Sequence, residues 1–142
     1  MLTIQQKMYE TTVKAVGGRA GYIESSSPEL RLDIATPKEM GGAGGAGTNP
    51  EQLFAAGYSA CFDSALNMVA RMQKIKHEGT EVNATVMFGK AEDGGFALAV
   101  KMDVLVKGVD REVATKLVEE AHNVCPYSRA TRGNIAVELN VI

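Results

Sequence analysis

Only two cysteines, Cys61 and Cys125, and two histidines, His77 and His122, occur among the 142 residues. Two thiols without a histidine pair at metal-ligand spacing make a poor zinc set, and both histidines read as solvated residues on helix surfaces or ends. An excess of positive charge is also lacking. Fifteen Lys and Arg against 17 Asp and Glu leave a formal net charge of −2, so there is no electrostatic footprint for nucleic acid and no polybasic stretch for a membrane surface. No apolar run approaches the roughly 20 residues needed to cross a bilayer. Met1 to Glu10 is too polar for the apolar segment of a signal peptide, and the default expectation is a cytoplasmic protein. In that reducing setting two cysteines are more readily free, catalytic or metal-bound than a permanent staple.

What is present suits a single domain over residues 1–142, with 45% hydrophobic residues to build its core. Tyr9, Thr11, Val13 and Ala15 alternate with polar neighbours and predict a first strand. Gly17 and Gly18 supply a turn before Arg19, and Ala20–Ile23 can pair back as a second strand. Leu30, Leu32 and Ile34 form a third, which stops at Pro37. Residues 41–47 hold five glycines. They read either as a flexible connector or as backbone that lies close to something, and they lack the Gly-Lys-Ser/Thr ending of a phosphate loop.

Asn49 can cap a helix that opens on Pro50 and runs to about Met72. Its polar stripe is Ser59, Asp63, Asn67 and Arg71, and Phe54, Gly57, Tyr58, Ala65 and Met68 share the other side with Cys61. A hairpin follows, with strands around Val82–Phe88 and Phe96–Val106. A second helix, capped by Asp110, must end near Cys125 because Pro126 disfavours helical geometry before it. Ile135 to Val141 form the last strand. The order of three strands, helix, two strands, helix and strand indicates an α+β fold.

Taken alone, Cys61 is a small apolar residue on a helix and Cys125 a thiol at a helix end. Burial raises a thiol's pKa, so a catalytic cysteine here needs a cation nearby. Arg19 is a candidate, because guanidinium keeps its charge when desolvated and can hold a thiolate and a carboxylate together. Glu51, in the first helical turn, reads by itself as a residue that complements the helix dipole.

The segment Thr36–Gly45, the run TNPEQLFAAGYSACF over residues 48–62 and CPYSRATRGN over 125–134 change this picture. With the Gly-Gly-Arg-Ala-Gly turn they resemble, over essentially the whole chain, the organic hydroperoxide resistance (Ohr) family of the OsmC-like superfamily. The resemblance implies an OsmC/Ohr-like fold, antiparallel sheets packed around two main helices, in an intertwined homodimer. It also implies that Cys61 is the peroxidatic thiol, Cys125 the resolving thiol, Arg19 the cation that activates the thiolate and Glu51 the carboxylate that positions Arg19. The implied cycle is attack of Cys61 on the peroxide, a sulfenic acid, then a Cys61–Cys125 disulfide reduced by a dithiol such as a lipoylated protein. No bound cofactor or metal is expected. The apolar face around Cys61, with Phe54, Tyr58 and Met68 as expected substrate-binding residues, suits an organic or fatty-acyl hydroperoxide.

Glu51 and Cys61 are ten positions apart, about 15 Å along a straight helix and about 80° around it. A compact Cys–Arg–Glu cluster therefore suggests that Glu51, and with it Arg19, comes from a second chain of a homodimer. Two other readings stay open: an OsmC-type peroxidase of broader specificity, and a non-catalytic carrier of apolar ligands in which both cysteines are core residues.

Overall fold

The computed structural model describes residues 1–142, which form two compact units, Met1–Pro50 and Glu51–Ile142. In the first, β1 (Val13–Val16), β2 (Tyr22–Ser25) and β3 (Arg31–Asp33) make an antiparallel meander in the order β1-β2-β3. The expected first strand begins four residues late. β2 runs out at Ser25, opposite Val13, so the alternating residues before Val13 have no ladder to join. Between β1 and β2 a single 3₁₀ turn, Gly18–Ala20, carries Arg19, and the Thr36 hydroxyl donates to the Arg19 carbonyl at 3.3 Å.

Of the two readings of the glycine-rich segment, close packing is the one observed. Ile34, which follows β3, makes a parallel bridge to Thr48, with Ala35 N–H donating to Thr48 O at 2.8 Å and Thr48 N–H to Asp33 O at 2.9 Å. The chain between them folds back on Thr36. A β-carbon at Gly42 would lie 2.2 Å from the Thr36 carbonyl oxygen, so only glycine fits there.

The second unit is a three-stranded sheet, order β4-β5-β6, with helices packed on it: β4 (Gly79–Lys90), β5 (Phe96–Lys107), β6 (Val137–Val141), α1 (Pro50–Met72), α2 (Arg111–Val124) and α3 (Pro126–Thr131). β4 and β5 form the expected hairpin, in unbroken register from Gly79↔Lys107 to Lys90↔Phe96. The expectation of purely antiparallel sheets is corrected here. β6 pairs parallel to β5, because the helical crossover through α2 and α3 returns the chain to the end of the sheet where β5 began.

On the central strand Val100, Met102, Val104 and Val106 are buried, alternating with half-buried Lys101, Asp103 and Leu105. That apolar row meets Tyr58, Phe62, Ala65, Leu66 and Val69 of α1 and Ala114, Leu117, Val118 and Ala121 of α2, so one core holds both helices. Each fully buried Leu, Val or Phe in it contributes about 1.5–3 kcal/mol. The buried stripe of α1 centres on Phe62 rather than Cys61. Cys61 consequently stands at the stripe's edge, half-buried, where the core gives way to accessible surface.

Candidate active site

Pro126 does two things at once. It cannot continue α2, and at the first position of α3 its missing N–H costs nothing, so the chain leaves one helix and enters another through Cys125, in extended conformation with φ −60° and ψ 123°. Cys125 N–H still donates to Ala121 O at 2.8 Å, and Cys125 O accepts from Arg129 N–H at 2.9 Å. The thiol at this corner is thus held by backbone bonds on both sides, and it is fully buried.

Both cysteines are free, and Cys61 packs against the core cluster that holds Cys125, close enough for one thiol to act on the other. The backbone N–H of Tyr127 is near enough to Cys61 to favour its thiolate. Burial, and then the adjacent Cys125, push the Cys61 thiol above its ordinary pKa, while the Tyr127 N–H acts the other way. The sign matters for chemistry. A raised pKa leaves less thiolate at neutral pH, so nucleophilic use of Cys61 requires a positive charge to offset its burial.

Gly57, one helical turn before Cys61, makes room for the ring of Tyr127. A β-carbon there would lie 2.8 Å from the Tyr127 hydroxyl and 3.3 Å from its ring. Phe54, Tyr58 and Tyr127 pack as an aromatic cluster, with centroids 6.0 Å apart for Phe54–Tyr58, 6.4 Å for Phe54–Tyr127 and 5.5 Å for Tyr58–Tyr127. Gly57→Ala should move the Tyr127 ring outward, since Tyr127 as a residue is already 38% exposed. The helical gain of about 0.5–1 kcal/mol then offsets the lost packing, and urea unfolding should change by less than about 1 kcal/mol. A loss above about 2 kcal/mol would show that the ring cannot yield.

The residues expected at the site are distributed as follows. Cys61, Cys125, Phe54 and Tyr58 meet around the α2–α3 corner. Tyr58 is fully buried, and its hydroxyl is engaged by Ser128 Oγ at 2.9 Å and Thr131 Oγ1 at 3.1 Å, so it supports the corner from beneath. Met68 is 39% exposed, two turns along α1 from Cys61. Glu51 occupies the first turn of α1, half-buried, and α1 runs continuously from it to Cys61. Arg19 is half-buried in the first unit.

His122 departs from its expected solvated role. It is half-buried in the last turn of α2, with Nδ1 2.8 Å from Ser128 Oγ and its ring 6.5 Å from that of Phe62. Burial and the Arg132 guanidinium hold its pKa below the ordinary histidine value. His77 accepts a hydrogen bond at Nδ1 from Gly79 N–H at 3.1 Å. Sequence reasoning missed Tyr127, Ser128 and Thr131 as neighbours of the thiols. Their one local signal is Gly57, a glycine inside a helix, which marks a close approach.

No group of three or more His, Cys, Asp or Glu side chains is placed to hold a metal ion, and no helix is long and apolar enough to cross a membrane. A surface concavity of about 510 Å³, lined by Ile75, Gly108, Val109, Asp110 and Val113, contains neither cysteine.

Comparison with known proteins gives concordant results. The family described as OsmC-like protein matches residues 42–140. The organic hydroperoxide resistance protein OhrA of Bacillus subtilis is 50% identical over 144 aligned positions, covering 97% of this chain and 99% of its own. The organic hydroperoxide resistance protein of Xanthomonas axonopodis pv. citri is 46% identical over 142 positions, covering 99% of each. The crystal structure of an organic hydroperoxide resistance protein from Elizabethkingia anophelis superposes with a TM-score of 0.92 at 50% identity, covering 96% of this chain and 98% of that one. With a family match over most of its length and relatives close to half identical from end to end, the chain belongs to the OsmC-like family, on its organic hydroperoxide resistance branch.

Proposed function

We propose that the protein is a cysteine-based peroxidase that reduces organic hydroperoxides to alcohols, with Cys61 as the peroxidatic and Cys125 as the resolving thiol. The contact between the only two thiols of the chain carries this reading. In the first step the Cys61 thiolate attacks one peroxide oxygen. An S–O bond forms, the O–O bond breaks, and the departing alkoxide takes a proton to become the alcohol. The sulfur is then a sulfenic acid. In the second step Cys125 attacks it, an S–S bond forms, and the S–O bond breaks to release water that carries away the Cys125 proton. An external dithiol, for which this reading takes a protein-bound dihydrolipoyl group, reduces the disulfide by exchange.

Arg19 is assigned the charge that the buried thiol needs, with Glu51 fixing the guanidinium fork. The two-chain arrangement rests on α1. Because the helix is unbroken, Glu51 stands about 15 Å along it from Cys61. In the single chain Val13 and Val16 of β1, together with Leu2, Ile4, Met8 and Tyr9, are exposed, and a second copy could cover such apolar side chains. Phe54 and the ring of Tyr127 flank Cys61 and would meet the organic part of the substrate.

Intact-mass and peptide mass spectrometry after one equivalent of cumene hydroperoxide test the reading. The expected product has lost two hydrogens and carries a Cys61–Cys125 link. An unchanged mass would favour the carrier of apolar ligands instead.

A further inference from the structure

Four hydrogen bonds run in series beneath the α2–α3 corner. His122 Nδ1 lies 2.8 Å from Ser128 Oγ, Ser128 Oγ 2.9 Å from the Tyr58 hydroxyl, Tyr58 3.1 Å from Thr131 Oγ1, and Thr131 Oγ1 3.2 Å from the Ser128 carbonyl. Four bonds need four protons. The three hydroxyls supply one each, and the carbonyl supplies none. All four are made only if the remaining proton is the Nδ1–H of His122. Every bond then acquires a direction. His122 donates to Ser128, Ser128 to Tyr58, Tyr58 to Thr131, and Thr131 to the carbonyl. The opposite direction, with Ser128 donating to an Nε2–H histidine, leaves the Thr131 bond to the carbonyl unmade, and that carbonyl then accepts only from the Arg132 N–H at 2.9 Å. Tyr58, Ser128 and Thr131 are all buried, and no buried side-chain polar atom of the protein lacks a partner.

The chain ties three helices at one point. Tyr58 belongs to α1, three residues before Cys61; His122 to α2, three before Cys125; Ser128 and Thr131 to α3, which begins immediately after Cys125. We propose that the directed chain His122–Ser128–Tyr58–Thr131 is a positioning device for disulfide formation, holding the α2–α3 corner so that the Cys125 sulfur faces the Cys61 sulfenic acid. This rests on the peroxidase reading above. None of the four touches the peroxide; they act by fixing the approach of one sulfur to the other. Loosening the corner leaves the sulfenic acid exposed to a second peroxide for longer, and the sulfinic acid accumulates in place of the disulfide.

The partition between these two products is the readout, because it compares two fates of one intermediate and is independent of how fast that intermediate forms. Full-length protein is treated with excess cumene hydroperoxide without reductant, and disulfide and sulfinic acid at Cys61 are counted by mass spectrometry. His122→Leu, which removes one bond of the chain, should lower the disulfide-to-sulfinic ratio by about fivefold to tenfold, and Tyr58→Phe, which removes two, by at least as much. His122→Asn, whose amide N–H can stand where Nδ1–H stood, should recover most of the loss, whereas a purely space-filling role for His122 predicts no advantage over leucine. In the unmodified protein at neutral pH, ¹⁵N-resolved imidazole spectra should show His122 as the Nδ1–H tautomer, a measurement that needs no variant to fold. Ratios within about twofold of wild type in both Tyr58→Phe and His122→Leu, asparagine no better than leucine, or an Nε2–H tautomer would overturn the inference. If wild-type protein forms no disulfide at all, the peroxidase reading fails and the positioning role with it, a result distinct from wild type forming the bond and the variants forming it equally well.

Discussion

Cys61→Ser is expected to lower hydroperoxide reduction at least about a thousandfold, to the level of the dithiol alone, because a serine hydroxyl at neutral pH offers neither the anion nor the polarisable nucleophile that thiolate provides. Cys125→Ser should behave differently. The first peroxide is still reduced, since Cys61 keeps its sulfur and the Tyr127 N–H that favours its thiolate. The sulfenic acid then has no thiol within the chain to condense with, so a stalled or overoxidised Cys61 accumulates. Consumption of hydroperoxide per chain separates the cases: with dithiol in excess, continuous turnover in wild type and none for Cys61→Ser; without dithiol, about one equivalent ending in a disulfide for wild type, and for Cys125→Ser a Cys61 sulfenic acid that passes on to the sulfinic acid. Retention of more than about a tenth of the rate by Cys61→Ser would remove it from the peroxidatic role.

The two thiols were legible in sequence for reasons that differ from those that make them neighbours. Scarcity and the flanking motifs single out Cys61 and Cys125, yet 64 positions separate them and nothing local brings them together. Their contact follows from the core, which packs α1 and α2 on the same face of β5 and delivers the end of α2 to the middle of α1. α1 was legible down to its first residue, because Asn49–Pro50 is a start signal and the run from there to Met72 holds no further proline. The phase of its buried face was not. A shift of one residue turns a helix by about 100°, and the side drawn through Cys61, Phe54, Gly57, Tyr58, Ala65 and Met68 left out fully buried Phe62 and took in Met68, which is 39% exposed.

The parallel pairing of β6 was hidden because strand direction in a sheet depends on the crossover that precedes it, not on the strand's own alternation. α3 was hidden behind Pro126, which reads as a stop for one helix and serves equally as the start of the next. His122 shows the same limit at the scale of one side chain. Its place near the end of α2 was plain, but the buried hydroxyls that meet it come from α1 and α3, and no spacing within α2 announces them.

Mixing chains is expected to restore activity that neither parent has. Glu51→Ala should disable Arg19 positioning, leaving Cys61 under the burial that raises its pKa. Cys61→Ser removes the nucleophile. If each site draws Glu51 and Arg19 from one chain and Cys61 from the other, a heterodimer of the two variants holds one site with both defects and one with neither. Random reassortment of equal amounts makes half the dimers heterodimers, each with one intact site of two, so co-refolded mixtures should recover about one quarter of wild-type activity and isolated heterodimers about one half. If Glu51 and Cys61 of one chain served the same site, every site in every dimer would lack one of them, and mixing would recover nothing. The rise of about 15 Å between those two positions on an unbroken α1 favours the first outcome. Recovery also has a dependence that no contamination imitates: it should appear only after the parent dimers have been dissociated and refolded together, and it should peak at equal proportions of the two chains.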